Sequence, residues 1–333
     1  MLKIADLPRT QKYKSIAVMT SGGDAPGMNA AIRAVTRFGL SLGLDIYGVT
    51  KGYSGLLEGE IHQLNASSVA NIIQRGGTIL KTDRCLPFHK KSVRQEAANI
   101  LTRKGIDALI VIGGDGSFTG AHLMEQETGF PTIGIPGTID NDISGTEDTI
   151  GFDTAVNTAI DAIDRIRDTA SSHDRIFLVE VMGRSSGFIA TQVGIGGGAE
   201  TIIVPEKKLT IAEVCKTIER GQKRGKSSSI IVMAEGKKPG LSYRLAADLT
   251  KRGYSPKVCI LGHTQRGGVP TAHDRLLASV LGASAVSYLL AGKSDCMVGI
   301  QKSEVVAVPF KHVVTTRKAL PAELLKVATT LST

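Results

Sequence analysis

The run Ala108-Leu109-Ile110-Val111-Ile112, passing straight into Gly113-Gly114-Asp115-Gly116-Ser117, constrains the fold more than any other stretch of this chain. A continuous, largely β-branched run reads as a strand buried on both faces, and such strands belong to parallel sheets covered by helices. Its glycines fall at the carboxyl end, where main chain without Cβ atoms can approach an anion. The helix expected next, Phe118 to Gln126, offers N–H groups and the positive end of its dipole to phosphate. Asp115 adds a candidate Mg²⁺ ligand. Taken alone, a glycine pair after a strand also fits other nucleotides, or nothing more than tight packing.

The first apolar stretch repeats the design: Ile16-Ala17-Val18-Met19 leads into Thr20-Ser21-Gly22-Gly23-Asp24-Ala25-Pro26-Gly27. Further buried strands are expected at Asp45-Val49, Thr132-Ile135, Arg175-Val181, Thr201-Val204, Ser229-Ala234 and Lys257-Leu261. Helices are expected at Gly27-Leu42, Val69-Arg75, Ser92-Lys104, Phe152-Thr169, Gly187-Val193, Ile211-Arg224, Tyr243-Arg252 and Asp274-Ala291. This alternation predicts an α/β chain with mostly parallel sheets. A domain change is expected near Gly151, and an extra N-terminal arm before Tyr13.

A second candidate site is the run Ile135-Pro136-Gly137-Thr138-Ile139-Asp140-Asn141-Asp142. If it is extended, a period of two puts Thr138, Asp140 and Asp142 on one face. Carboxylates so close repel unless a metal, a basic group or a transferable proton lies between them. The same residues also suit a solvated Asn/Asp turn. In an open α/β sheet, loops at the carboxyl ends of strands share one crevice, which favours the site. Gly76-Gly77, ahead of Thr78 to Arg84, places Arg84 within reach of it.

With 333 residues, 42% of them hydrophobic, two domains are expected. No apolar run approaches the ~18 residues of a membrane helix, so a cytoplasmic location is expected without membrane partners. Cys85, Cys215, Cys259 and Cys296 are widely spaced and read as free thiols. The net charge of +9 raises nucleic acid as a partner, but the basic residues are scattered and there is no Trp for base stacking. Small phosphorylated ligands explain the charge better.

At this point the motifs carry a resemblance. Ser21 to Asn29, Gly113 to Ser117, Pro136 to Asp142, Val181-Met182-Gly183-Arg184 and Leu261-Gly262-His263-Thr264-Gln265-Arg266-Gly267-Gly268 together resemble the bacterial ATP-dependent 6-phosphofructokinase family, in its order and nearly its spacing. The resemblance runs from Lys14 to the low 300s. It implies two similar three-layer α/β domains with the active site in the cleft between them. The ATP-binding domain would take residues 1–150 plus about 266–315, and the fructose 6-phosphate domain 151–265 plus about 316–333. It also implies a homotetramer with active sites shared across subunits, working at the committed step of glycolysis.

By the same resemblance, Asp140 is the general base toward the 1-hydroxyl of fructose 6-phosphate and Thr138 holds the moving phosphoryl group. Asp115 and Asp142 place Mg²⁺, while Arg84 and Arg184 stabilise the transferring charge. Gly22, Tyr53, Arg84, Cys85, Phe88, Gly114, Asp115, Gly116 and Ser117 would bind ATP. Thr138, Asp140, Asp142, Met182, Gly183, Arg184, Glu235, His263 and Arg266 would bind the sugar phosphate, with Arg175 and Lys257 reaching in from a neighbouring subunit. Arg33, Arg37, Glu200 (as a metal ligand), Arg224 and Lys226 match an effector site for ADP and phosphoenolpyruvate. Ala66 stands where regulated members carry arginine, so weak regulation is expected.

Relatives that use pyrophosphate tend to carry Asp at the position of Gly116 and Lys at that of Gly137; two glycines here point to ATP. His89 stands where the best-known relatives have a basic residue. A dinucleotide-binding dehydrogenase is disfavoured, since no G-x-G-x-x-G follows a strand with an acid about 20 positions on. Lipid and NAD kinases share the Gly-Gly-Asp-Gly turn but lack the acidic turn in this form. A non-catalytic phosphate binder would have no use for that turn. Lys257 also departs from the family's arginine, and an ammonium lacks the planar fork that grips phosphate at two points. Lys257→Arg is therefore expected to lower KM for fructose 6-phosphate, and an unchanged KM in steady-state assays would count against this.

Overall fold

The computed structural model describes Thr10 and residues 13–171, 175–207, 209–238 and 240–331. In chain order the elements are β1 (Ser15–Thr20), α1 (Met28–Ser41), β2 (Asp45–Val49), α2 (Gly52–Glu58), β3 (Ile61–Leu64), α3 (Lys91–Arg103), β4 (Ala108–Gly113), α4 (Asp115–Thr128) and β5 (Thr132–Pro136). There follow α5 (Phe152–Ser171), β6 (Ile176–Val181), α6 (Phe188–Gly196), β7 (Thr201–Ile203), α7 (Ile211–Lys223), β8 (Ser229–Ala234), α8 (Leu241–Thr250) and β9 (Pro256–Ile260). The chain closes with α9 (Ala272–Leu290), β10 (Cys296–Gln301), β11 (Glu304–Pro309), α10 (Phe310–Thr315) and α11 (Ala322–Leu331). The described residues of Met1–Ile139, Ile143–Asp153 and Arg266–Lys318 form one compact unit. Those of Asp140–Asp142, Thr154–Gln265 and Ala319–Thr333 form a second.

The first unit is built on a sheet ordered β11-β10-β5-β4-β1-β2-β3. Every residue of β1, β4 and β5 is buried, as strands covered on both faces must be. β1 runs parallel to β4 with Ile16 opposite Ala108 and Thr20 opposite Ile112, and β4 runs parallel to β5 with Gly113 opposite Pro136. Phe118 of α4 stacks on Phe310 of α10, ring centroids 5.4 Å apart. Gly134 of β5 makes room for the pair, because a Cβ there would stand 2.6 Å from the Phe118 ring. The strand order reverses between β1 and β4, so the crevice outside their carboxyl ends is where a sheet of this type takes its ligands.

The second unit carries a parallel sheet ordered β7-β8-β6-β9. Its core gathers Leu178, Ile231, Val214, Ile218 and Leu249. α7 begins in a capping box in which Thr210 and Glu213 satisfy each other's backbone N–H groups. Those hydrogen bonds from Thr210 hold the Glu213 carboxyl below its usual range.

Some expectations need correction. Residues 69–75 are not helical: Oδ1 of Asn65 accepts from the N–H groups of Ser67 and Ser68, and Asn71 is left-handed at φ 54°, so the segment coils in turns. The period that suggested a helix comes from Val69 and Ile72, both buried by a turn. The margins of the first sheet, β3 and β11, pair antiparallel. β10 and β11 form a hairpin whose two turn residues, Lys302 (φ 51°) and Ser303 (φ 64°), both take the left-handed conformation. Such turns favour Asn-Gly, and Lys-Ser gives no such signal. Apart from Thr10, the expected N-terminal arm lies outside the described residues. Among the described residues, no helix is long and apolar enough to cross a membrane.

Burial pushes the Cys296 thiol up to about 12, with nearby Glu125 and Asp295 adding to the effect. At pH 8 a thiol of that pKa is about one part in ten thousand thiolate, the reactive form. Alkylation of the native protein should therefore mark the half-buried Cys85 and spare Cys296 until urea is added. Peptide mapping that finds Cys296 labelled as fast as Cys85 in the native state would contradict this packing.

Candidate active site

In the first unit the segment between β1 and α1 turns through two left-handed glycines, Gly22 (φ 86°) and Gly27 (φ 107°). Gly23 lies beside Arg266: a Cβ there would stand 2.5 Å from its Nη1, which donates to the carbonyl of Asp24 at 3.0 Å. The N–H of Ser21 donates to the carbonyl of Ile112 (2.9 Å) and that of Gly137 to the carbonyl of Gly113 (2.9 Å). These bonds hold the three loops level at the carboxyl ends of their strands.

α4 starts at Asp115, three residues earlier than expected, with Gly114 ahead of it. Asp115 thus lies in the first turn, where a carboxylate suits the helix dipole, and it is exposed, as is Gly116. The two glycines tied to donor choice differ in surroundings. Nothing lies within 4 Å of where a Gly116 Cβ would be. At Gly137 a Cβ would stand 3.0 Å from Ile112 and 3.1 Å from Met28, so close packing already calls for glycine there. Thr138 is half-buried next to Gly114, and its carbonyl accepts from the hydroxyl of Thr149 at 2.6 Å.

Tyr53 and Phe88 are core residues: their rings stack at 3.8 Å, each about 5% exposed, and the Tyr53 hydroxyl donates to the buried Ser117 carbonyl at 2.7 Å. Burial pushes the Tyr53 phenol up, so it stays protonated. Arg94 of α3 donates to the Phe88 carbonyl (2.8 Å) and grips Glu127 at two points, which holds the Glu127 carboxyl low. The turn carrying half-buried Cys85 and exposed Arg84 and His89 is thereby fastened at its far end. At its near end the fastening comes from two residues that sequence reasoning gave no role. Asn29 bonds the main chain of Arg75, Gly76 and Ile79, and Thr20 bonds Lys81 and Thr78.

The acidic run is not extended. Residues 139 and 140 turn and Asn141 is left-handed at φ 49°, which ends the period of two. Asn tolerates this conformation better than most residues. Asp140 is consequently buried at 5% exposure while Asp142 is exposed, so the expected common face is replaced by a turn with one carboxylate in and one out.

Within the second unit, the carbonyl of Asp140 accepts from the Ser186 hydroxyl at 3.2 Å, and the Ser186 N–H donates to the Gly183 carbonyl at 2.8 Å. Gly183 (φ 130°) and Arg184 (φ 51°) bend sharply after β6. Oε1 of Glu235, itself held where the Glu235 N–H donates to Val181 O, accepts from the Arg184 N–H at 3.1 Å. The buried amide of Gln265 accepts from the Met182 N–H (2.8 Å) and donates to the Ala155 carbonyl (3.3 Å). Asp140, Met182, Gly183, Arg184 and Glu235 therefore share one bonded cluster, and Gln265 ties the turn that bears exposed His263 to it. Gln265 and Ser186 were missed; the one clue was their place among flagged residues. Arg175 is half-buried at the foot of β6, and Lys257 is exposed on β9 at the edge of the sheet.

Of the effector candidates, Arg33 is half-buried and Arg37 exposed on α1 of the first unit, with Ala66 exposed in the turn that replaces the expected helix. Glu200, Arg224 and Lys226 belong to the second unit. Glu200 accepts from the Ile230 N–H (2.7 Å) and from Nζ of Lys226 (3.2 Å), so an ammonium already meets the carboxylate expected to bind metal. Glu200 and Lys226 line a cavity of about 160 Å³ with Ser227, Ser228 and Tyr254.

The phosphofructokinase family model matches residues 15–289. The ATP-dependent 6-phosphofructokinase 1 of Thermus thermophilus is 52% identical over 320 residues, 96% of this chain and 99% of that protein. The ATP-dependent 6-phosphofructokinase of Clostridium novyi is 52% identical over 319 residues, with the same coverage. Among solved structures, phosphofructokinase from Saccharomyces cerevisiae superposes with a TM-score of 0.85 at 37% identity. That match covers 96% of this chain and 46% of the yeast chain, so this chain spans about half the length of that one. A pyrophosphate-dependent phosphofructokinase from Marinobacter aquaeolei shares the fold at TM-score 0.80 and 21% identity, covering 93% and 86% of the two chains. On the family match and these identities, the chain belongs to the phosphofructokinase family.

Proposed function

We propose that the chain moves the γ-phosphoryl group of ATP to the 1-hydroxyl of D-fructose 6-phosphate, giving fructose 1,6-bisphosphate and ADP. The observation that carries this reading is identity of about one residue in two, along 96% of the chain, with bacterial proteins named ATP-dependent 6-phosphofructokinase.

In this reading the first unit receives ATP. Main-chain N–H groups of the Gly22 and Gly114 turns take the phosphates, and the open space at Gly116 admits the nucleotide. Tyr53 and Phe88 support the pocket from behind, as their burial requires. Asp115 and Asp142 would hold Mg²⁺. Among the described residues no group of three or more His, Cys, Asp or Glu could hold a metal. Two exposed carboxylates still fit this ion, which keeps its waters and leans on substrate phosphates. When bound it neutralises charge on the β and γ phosphates.

The second unit receives the sugar phosphate through Met182, Gly183, Arg184, Glu235 and His263, and Arg266 is a further sugar phosphate ligand. Asp140 takes the proton from the 1-hydroxyl as the phosphoryl group arrives. Thr138 hydrogen-bonds that group, and Arg84 and Arg184 stabilise its charge from positions set before reaction. Arg175 and Lys257 serve a neighbouring subunit in a tetramer, which light scattering would reveal. Arg33 and Arg37 of the first unit and Arg224 and Lys226 of the second are the effector-binding candidates, and with Ala66 supplying no charge regulation is weak.

A coupled assay with fructose 6-phosphate should give turnover with ATP; turnover with pyrophosphate and none with ATP would overturn the assignment. Asp140→Asn should lower kcat by about 10²–10⁴ with a far smaller change in KM, the usual reach of general base catalysis. Fructose 6-phosphate saturation should be close to hyperbolic, and strongly sigmoidal curves relieved by ADP would refute weak regulation.

A further inference from the structure

The segment from Arg75 to Cys85 carries Arg84 yet contains no helix or strand. Few of its main-chain groups bond one another: Lys81 N–H donates to Thr78 O at 3.2 Å. Those of its main-chain groups that are shielded from water need partners elsewhere. The Lys51 N–H takes the Leu80 carbonyl at 2.7 Å, and several more partners come from the two elements that flank the first phosphate turn.

Asn29, the second residue of α1 and 1% exposed, uses its whole amide here. Its Nδ2 donates to the carbonyls of Arg75 (3.0 Å) and Gly76 (3.2 Å), and its Oδ1 accepts from the N–H of Ile79 (2.8 Å). Thr20, the fully buried last residue of β1, donates from Oγ1 to the Lys81 carbonyl (2.8 Å) and lies 3.0 Å from the Thr78 hydroxyl. Gly76 also presses on the chain near Arg266: a Cβ there would stand 2.3 Å from the Gly268 carbonyl.

We propose that Asn29 is a positioning residue for phosphoryl transfer, clamping the Arg84 segment to the helix that begins at the phosphate turn. The proposal rests on the role given to Arg84 above. One rigid element then sets both where the turn holds phosphate and where the arginine segment starts. No other side chain of this size replaces the amide. Aspartate supplies no donors and turns a charge toward two carbonyls, and alanine removes all three bonds to the segment.

The test uses the full chain with Asn29→Ala, Asn29→Asp and the milder Asn29→Ser, which shortens the same side chain while keeping a polar group and serves if the first two do not fold. Two measurements are made on each. The first is the rate of tryptic cleavage after Lys81 and Arg84, well below the melting temperature. A rise of about tenfold is expected, since proteolysis of a folded chain follows the population of the locally open form. The second is kcat and KM, alone and in an Arg84→Ala background. A kcat loss on the order of tenfold to a hundredfold is expected, as for a misplaced catalytic group, with KM for fructose 6-phosphate within about twofold. With Arg84 removed, the same substitution should cost little more, because a shared pathway is not additive.

Unchanged cleavage would overturn the clamp, and kcat losses that multiply with Arg84→Ala would reduce Asn29 to a packing role. If Arg84→Ala alone leaves kcat intact, the failure belongs to the role of Arg84, and the cleavage rates still decide the clamp.

Discussion

The parallel pairing of β1 with β4, Thr20 against Ile112, ends both strands at one level, and the pairing of β4 with β5 brings Pro136 level with Gly113. Three loops, two of them carrying Gly-Gly-Asp, therefore leave one edge of one sheet. A slip of one residue would turn the buried Ile110 and Ile112 toward different neighbours and separate the glycine turns. The register is fixed because both faces of these strands are buried, so each side chain has one place to go. In the second unit β6 and β8, buried along almost their whole length, pair in the same parallel way, and β9 joins β6 in parallel register, with Glu235 and Leu261 bonded to the end of β6.

What the sequence made legible follows from this. Apolar runs such as Ile16–Met19 and Ala108–Ile112 announce themselves because burial on both faces leaves no polar position within them. The hairpin of β10 and β11 stayed hidden because Lys302 and Ser303 take left-handed conformations that neither residue advertises. The acidic run was located correctly as a segment, but its shape was not legible, since one left-handed residue, Asn141, decides which carboxylate faces inward. Asn29, Ser186 and Gln265 share a different obscurity. Their work is to satisfy main-chain groups far away in sequence, and nothing in the local pattern says which.

Glycine illustrates how one letter can have unrelated causes. Gly116 has open space where a Cβ would be, so the packing of the protein does not call for glycine there. Gly137 has Ile112 and Met28 where a side chain would begin. The preference for ATP thus finds its physical support at Gly116, whereas Gly137 is already accounted for by the packing of α1 against β4.

The place of Lys257 in the sheet has a consequence separate from anything an ammonium offers a phosphate. β9 is an outer strand of the second sheet, paired only with β6 and bearing the exposed Ile260 beside half-buried Cys259. An outer strand with apolar side chains is a template for unwanted strand addition and aggregation. A long charged side chain at the second position of that strand makes another strand expensive to lay alongside it. Lys257 therefore guards the solubility of the sheet, whatever it also does for substrate.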